Sequence, residues 1–272
     1  MGRVTFDFRK LAPFGVEVLH DLSQPLSPSL QYHFVELWRQ HALVLARGQR
    51  LTMARQRELC ALLGPVLERA GEGETMTNEG GGPSASPLAW HADAAYTEHP
   101  FDALSLHALD VVDDASSTRF VSADAGWADL PGNVKAALEG REQEMVSPHY
   151  TRLAGRTCDG DTSDVLRRAI RPTVLENPHN RRPVLWVSEL QTAGLPGLPA
   201  EEGRAVLHAA FDHLYAPERV LEHRWRTGDV VFWDNIALQH ARGDLGGVGR
   251  RVLQRVIVGI EGVAPHVGVK AA

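Results

Sequence analysis

Gly228-Asp229-Val230-Val231-Phe232-Trp233-Asp234-Asn235 opens on a turn pair, runs through four apolar strand-formers and stops on two polar residues. It reads as an apolar strand ending in a polar turn. Ile236-Ala237-Leu238-Gln239-His240 follows at once, so a histidine stands just beyond that turn. Further strand candidates lie at 103–109, 119–122, 184–187, 220–224 and 251–260. Short strands parted by Gly, Asp and Pro turns favour a β-sandwich or barrel over a doubly wound sheet.

Helices surround this β-rich middle. Over 29–39 the apolar residues Leu30, Phe34, Leu37 and Trp38 recur at helical spacing, and Ala42-Leu43-Val44-Leu45-Ala46 then forms an apolar run ending at Arg47-Gly48-Gln49. A second helix is expected over 52–63, with Thr52 as N-cap and Gly64-Pro65 as its stop. Others are expected over 132–142, after Leu130-Pro131, and over 199–215, where Val206, Ala210 and Leu214 share a face with Leu207 beside it and Glu201 and Glu202 suit the first turn. Segment 71–87 is rich in Gly, Ser, Glu and Pro and reads as a lid-like loop, because strand-like sequence resumes at Trp90. A second lid-like loop is expected at about 148–165. The 272 residues form one domain on this reading.

A formal charge of -6 supplies no broad basic surface for nucleic acid, so a small-molecule partner is expected. Cys60 and Cys158 are too few for a disulfide framework and suit a reducing cytosol. No export signal is apparent, and no stretch approaches the roughly 20 apolar residues of a membrane span. A cytoplasmic protein is expected, and self-association is left open. No repeat and no phosphate-cradling glycine motif is present.

In Trp90-His91-Ala92-Asp93 an imidazole and a carboxylate stand two residues apart, and on an extended segment they project from one face. A third nitrogen ligand from a distant strand would complete two histidines and one carboxylate on one face of an octahedron, leaving positions open for substrate and oxygen. In a chain with 13 histidines the pair alone is weak, and a surface His beside a turn Asp reads equally well. Beyond His240, Arg251-Val252-Leu253-Gln254-Arg255-Val256-Ile257 reads as a strand with 251, 253, 255 and 257 on one face. Two arginines on one face call for anions nearby. A local acid pairing with Arg251 while Arg255 stays exposed satisfies the pattern as well.

Taken together, Leu45-Ala46-Arg47-Gly48-Gln49, Trp90-His91-Ala92-Asp93, Gly197-Leu198-Pro199 with Glu202-Gly203-Arg204, and Trp233-Asp234-Asn235 through His240 to Arg255 resemble one family. It is that of the taurine and 2,4-dichlorophenoxyacetate dioxygenases, which depend on iron(II) and 2-oxoglutarate. The resemblance implies a mainly β fold with flanking helices, a cupin-like double-stranded β-helix or jelly roll. It implies His91, Asp93 and His240 as iron(II) ligands, with Arg251 and Thr118 holding the far carboxylate of 2-oxoglutarate. Arg255 falls where the taurine enzyme meets its substrate's anionic group. In His149-Tyr150-Thr151-Arg152, Tyr150 and Arg152 match a segment that covers the substrate carboxylate in the herbicide enzyme. Tyr96, just past the His-x-Asp pair, is a further substrate-side candidate, as readily core packing.

The chain departs from the family at Ala115-Ser116-Ser117-Thr118, where Gly-Gly-Asp-Thr is usual, and at Val174-Leu175-Glu176-Asn177-Pro178, where Arg-Thr-His-Pro is usual. No counterpart is found for the asparagine that grips taurine, so taurine is not the expected substrate. The implied reaction consumes O2 and 2-oxoglutarate, releases succinate and carbon dioxide, and hydroxylates a C–H bond of a small anionic molecule. Asp93 argues against halogenation, which replaces that carboxylate by a small residue. Two other readings stand beside this one: a zinc-dependent hydrolase or isomerase on a similar barrel, and a non-catalytic metal- or ligand-binding barrel.

Overall fold

The computed structural model describes residues 4–67, 75–79, 85–147, 156–163 and 167–259. In chain order the elements are β1 (Phe8–Lys10), β2 (Val16–Val18), α1 (Pro28–His41), β3 (Leu43–Ala46), α2 (Met53–Ala61), β4 (Thr75–Thr77), β5 (Leu88–His91), β6 (Ala103–Val111), β7 (Ser117–Ser122), α3 (Ala123–Ala128), α4 (Gly132–Leu138), β8 (Glu142–Val146), β9 (Arg168–Pro172), β10 (Val174–Glu176), β11 (Pro183–Leu185), β12 (Thr192–Gly194), α5 (Ala200–Leu214), β13 (Leu221–Arg224), β14 (Val230–Asp234), β15 (Leu238–Arg242) and β16 (Arg251–Val258).

Two sheets make the body. The larger runs β1-β2-β3-β14-β6-β16-β4 and the smaller β13-β7-β15-β5. Their pairings are antiparallel except β2 with β3. Between them lies a core drawn from both: Leu43, Leu45, Leu104, Leu106, Val231, Trp233, Leu253 and Ile257 from the larger, Phe120, Leu221 and Leu238 from the smaller. This is the expected double-stranded β-helix.

β14 is central to it. Val231 and Trp233 face the inter-sheet core, whereas Val230 and Phe232 face outward under α1, where Phe34 meets Phe232 edge-on at 5.2 Å. An unbroken apolar run is what a strand covered on both faces requires. Each such large side chain contributes roughly 1.5–3 kcal/mol on burial. Helices α1 and α2 cover the outside of the larger sheet through Leu37, Trp38, Leu59 and Cys60. Helices α3, α4 and α5 cover the smaller one through Trp127, Leu138, Leu207, Phe211 and Leu214 against Val121 and Ala241.

The expected cap holds: the Thr52 side chain accepts from the backbone N–H of Arg55 at the start of α2. Other boundaries move. The helix expected over 132–142 ends at Leu138, because Gly140 takes a left-handed φ of 69° and Glu142 already enters β8. α3 was not anticipated; its six residues are too few for helical periodicity to show. Nor was the sheet β12-β8-β9, whose partners are far apart in the chain. Within the loop expected at 71–87, Thr75–Thr77 forms the edge strand β4 on β16, with Met76 opposite Leu253. Local composition does not reveal such a pairing. Of the loop expected at 148–165, residues 148–155 and 164–165, with Tyr150 and Arg152, lie outside the described residues, and Thr157–Asp159 makes a short 3-10 turn. Both cysteines are free thiols.

Candidate metal centre

Strand register brings the two histidines face to face. β15 pairs with β5 so that His240 lies opposite His91, their ring centroids 4.2 Å apart. Asp93 stands beside both: its Oδ1 is 3.3 Å from Nε2 of His91 and 3.9 Å from Nε2 of His240. One donor atom from each of the three lies within 4.8 Å of the others.

Asp93 does not reach this place by simple strand alternation. β5 ends at His91, Asp93 sits in the following turn, and Ala94 adopts a left-handed φ of 58°, which costs an alanine energy. The surroundings hold that turn. Asn235 Oδ1 accepts from the Asp93 N–H at 2.9 Å, while its Nδ2 donates to the carbonyls of Asp93 at 2.9 Å and Phe101 at 2.8 Å. Gln191 Nε2 donates to the Ala92 carbonyl at 2.9 Å. The polar turn in turn is shaped by Asp234, whose Oδ1 accepts from the N–H groups of Ile236 and Ala237 and whose Oδ2 accepts from Asn177 Nδ2 at 2.9 Å. Sequence reasoning quoted Asp234-Asn235 but gave neither residue a task. A polar pair closing an apolar strand was the available signal.

The protonation states suit cation binding. His91 Nδ1 lies 2.8 Å from the Ala89 carbonyl, which makes Nδ1 the N–H and leaves the Nε2 lone pair toward Asp93. Burial, followed by the neighbouring His91, pushes the His240 imidazole down to about 3, so it is neutral. Burial opposes charge on Asp93, but its close neighbours His91, His240 and Arg255 hold it well below the usual carboxylate range. Two imidazoles and one carboxylate on one side of a point form an N2O donor set that fits a divalent transition metal with open positions.

Of the other predicted residues, Arg251, Arg255 and Thr118 lie on the interior faces of the two sheets. Arg251 begins β16 and is 3% exposed, and among the described residues its Nε has no hydrogen-bond partner. Burial, then the like charge of Arg242, bring its guanidinium down to about 10. Leu253 and Ile257 of the same strand lie in the inter-sheet core, which places the alternating positions 251 and 255 on the interior face. Arg255 acts electrostatically on both Asp93 and His240. Thr118, 3% exposed on β7, accepts at Oγ1 from Nε1 of Trp225 at 3.0 Å. Its own O–H is then available to donate. Tyr96 is buried with Ala92, Ala95, Met145, Trp186 and Ile236.

Residues 7–257 match a single family, described as "Taurine catabolism dioxygenase TauD, TfdA family". The chain belongs to this family. A curated relative, the alpha-ketoglutarate-dependent 2,4-dichlorophenoxyacetate dioxygenase of Cupriavidus pinatubonensis, is 29% identical over 170 residues, 61% of this chain and 58% of that protein. The chain thus spans less than two thirds of that relative's length. The (S)-phenoxypropionate/alpha-ketoglutarate-dioxygenase of Delftia acidovorans is 27% identical over 227 residues, covering 75% of this chain and 77% of that one. Among solved structures, a taurine dioxygenase from Burkholderia xenovorans superposes with a TM-score of 0.77 at 22% identity, over 93% of this chain and 90% of that one. That solved structure shares the double-stranded β-helix described above.

Another trio, Cys158, Asp159 and His208, also brings donor atoms within 4.8 Å of one another. It reads as an exposed hydrogen-bonded pair, His208 Nε2 to Asp159 Oδ1 at 2.8 Å. Burial pushes the Cys158 thiol up to about 11, and Arg156 and Arg204 place positive charge beside it, which disfavours a cation.

Proposed function

We propose that this TauD/TfdA-family chain is an iron(II)- and 2-oxoglutarate-dependent dioxygenase, with His91, Asp93 and His240 as the metal ligands and Arg251 and Thr118 as the grip on the cosubstrate's distal carboxylate. The convergence of His91, Asp93 and His240, one donor atom each within 4.8 Å, carries this reading. A bound iron(II) with 2-oxoglutarate supplies the oxidising chemistry, coupling decarboxylation of the cosubstrate to succinate with oxidation of a substrate C–H bond by O2.

The chain's own part is placement. Asn235 and Gln191 hold the turn that aims Asp93, and the Ala89 carbonyl orients His91. A carboxylate reaching Arg251 meets a buried guanidinium, and the Thr118 hydroxyl adds a donor. The apolar wall of Leu104, Leu106, Phe120, Trp233 and Leu253 excludes water from the interior. Arg255, whose charge reaches the ligands, favours an anionic organic substrate, and the two relatives named for aryloxy acids are consistent with this class. Tyr96 packs with Ala92 and Ala95 of the turn that carries Asp93. A hydrolase or isomerase would leave Arg251 and Thr118 without a shared anion. Free buried thiols at Cys60 and Cys158, and the absence of any membrane-crossing helix among the described residues, suit work in the cytoplasm as one oxygenase domain.

Anaerobic addition of iron(II) and then 2-oxoglutarate should produce a metal-to-ligand charge-transfer absorption, and air should convert the cosubstrate to succinate. His91→Ala and Asp93→Ala should lose both. Arg251→Leu should keep iron binding while raising the 2-oxoglutarate requirement by roughly ten- to a hundredfold, the worth of a hydrogen bond to a charged group. Wild-type protein that neither shows the absorption nor makes succinate would rule this function out.

A further inference from the structure

Arg242 ends β15, two residues beyond His240. β15 pairs with β7 with His240 opposite Phe120 and Ala241 opposite Arg119. Continuing that register by one residue sets Arg242 opposite Thr118, and paired residues project from the same face of an antiparallel sheet. That face is the interior one, since Leu238 and Phe120 both lie in the inter-sheet core. Arg242 is accordingly 7% exposed.

Its charge is felt at two places. Arg242 acts on the His240 imidazole and is the charged group that acts on Arg251. The guanidinium therefore lies within electrostatic reach of both the metal centre and the buried arginine of β16. Two buried cations within electrostatic reach of each other repel, and burial disfavours each of them. Such a pair is stable when an oxygen acid comes between them, because guanidinium forks match carboxylate geometry. One Arg242 arm is already fixed, Nη2 donating to the Ser86 carbonyl at 2.6 Å, and nearby the Leu245 N–H donates to the Ala85 carbonyl. The side chain is thus held in place by the segment leading into β5.

We propose that Arg242 is a further cosubstrate-binding residue, forming with Arg251 and Thr118 a two-arginine site for the distal carboxylate of 2-oxoglutarate. This rests on the reading of the centre as a 2-oxoglutarate site. It adds a consequence of its own: the site demands a 2-oxo acid with a second carboxylate, and Arg242 supplies a large part of that demand.

The test uses the iron-loaded protein without oxygen and follows the charge-transfer absorption during titration with 2-oxoglutarate and, separately, with 2-oxopentanoate, which has the same chain length but no second carboxylate. Arg242→Met should weaken 2-oxoglutarate binding by roughly ten- to a hundredfold, the effect of one charge-assisted hydrogen-bonding group. Binding of 2-oxopentanoate should change little, and Arg242→Lys should recover part of the loss. A purely structural Arg242 would lower both affinities by the same factor, and an uninvolved one would change neither; each result overturns the proposal. Wild-type protein giving no absorption with 2-oxoglutarate would overturn the dioxygenase reading itself, a different outcome from a wild type that binds and variants that match it.

Discussion

Asp234 is 1% exposed and carries three hydrogen bonds, yet burial outweighs them and pushes its carboxyl up to about 6. An unfolded aspartate titrates near 3.9, so between about pH 4 and pH 6 the folded protein holds a proton that the unfolded chain has released. The resulting stability is complete below the unfolded value and is lost as pH rises through about 6. The difference of about two units corresponds to roughly 2–3 kcal/mol at 1.36 kcal/mol per unit. Denaturant unfolding between pH 4 and pH 7 should therefore show the wild type losing stability on the order of 2 kcal/mol, a fall that Asp234→Asn flattens. Parallel pH profiles for the two proteins would contradict this account. The charge is retained because an ionised Asp234 accepts from Ile236, Ala237 and Asn177 and so shapes the turn that carries Asn235, which holds the backbone of Asp93.

At the scale of elements, the turn into β14 decides whether the central strand is correctly threaded. Gly228 adopts a φ of 86°, its N–H donates to the Ala108 carbonyl, and its own carbonyl accepts from Gln49 at 2.6 Å. A Cβ there would meet the Gln49 carbonyl oxygen at 3.0 Å and its nitrogen at 3.1 Å, backbone atoms that cannot swing aside. Left-handed strain and a backbone clash add, so Gly228→Ala should cost about 2 kcal/mol or more. Equilibrium unfolding would measure it, and a loss under about 0.5 kcal/mol, the usual range of an uneventful surface substitution, would show that the loop yields. Gly48 beside it, at φ 64° but with nothing near its Cβ, should tolerate alanine better.

Across the whole molecule, ligands that bind only the folded protein should stabilise it by mass action. Iron(II) with 2-oxoglutarate, each at about a hundred times its dissociation constant, should add about 2.7 kcal/mol apiece. At roughly 2–4 °C per kcal/mol for a chain of this size, the anaerobic midpoint should rise by about 10 °C or more. A chelator should reverse the rise, and His240→Ala should not show it; an unmoved midpoint would mean that the three donors do not bind a metal. What the sequence determined alone was local: the apolar run of β14, the helical spacing of α1 and α5, the caps, and the proximity of His91 to Asp93, since each depends on neighbours a few residues apart. Family spacing carried His240, Thr118 and Arg251 into the expected site. Tertiary structure alone decided the pairing of His240 with His91, the interior face shared by Arg242 and Thr118, the strand at Thr75–Thr77 and the hold of Asn235 on Asp93. These depend on inter-strand register between residues as much as 179 positions apart, as with Gln254 opposite Thr75, and register is set by which faces can be buried together rather than by any local pattern.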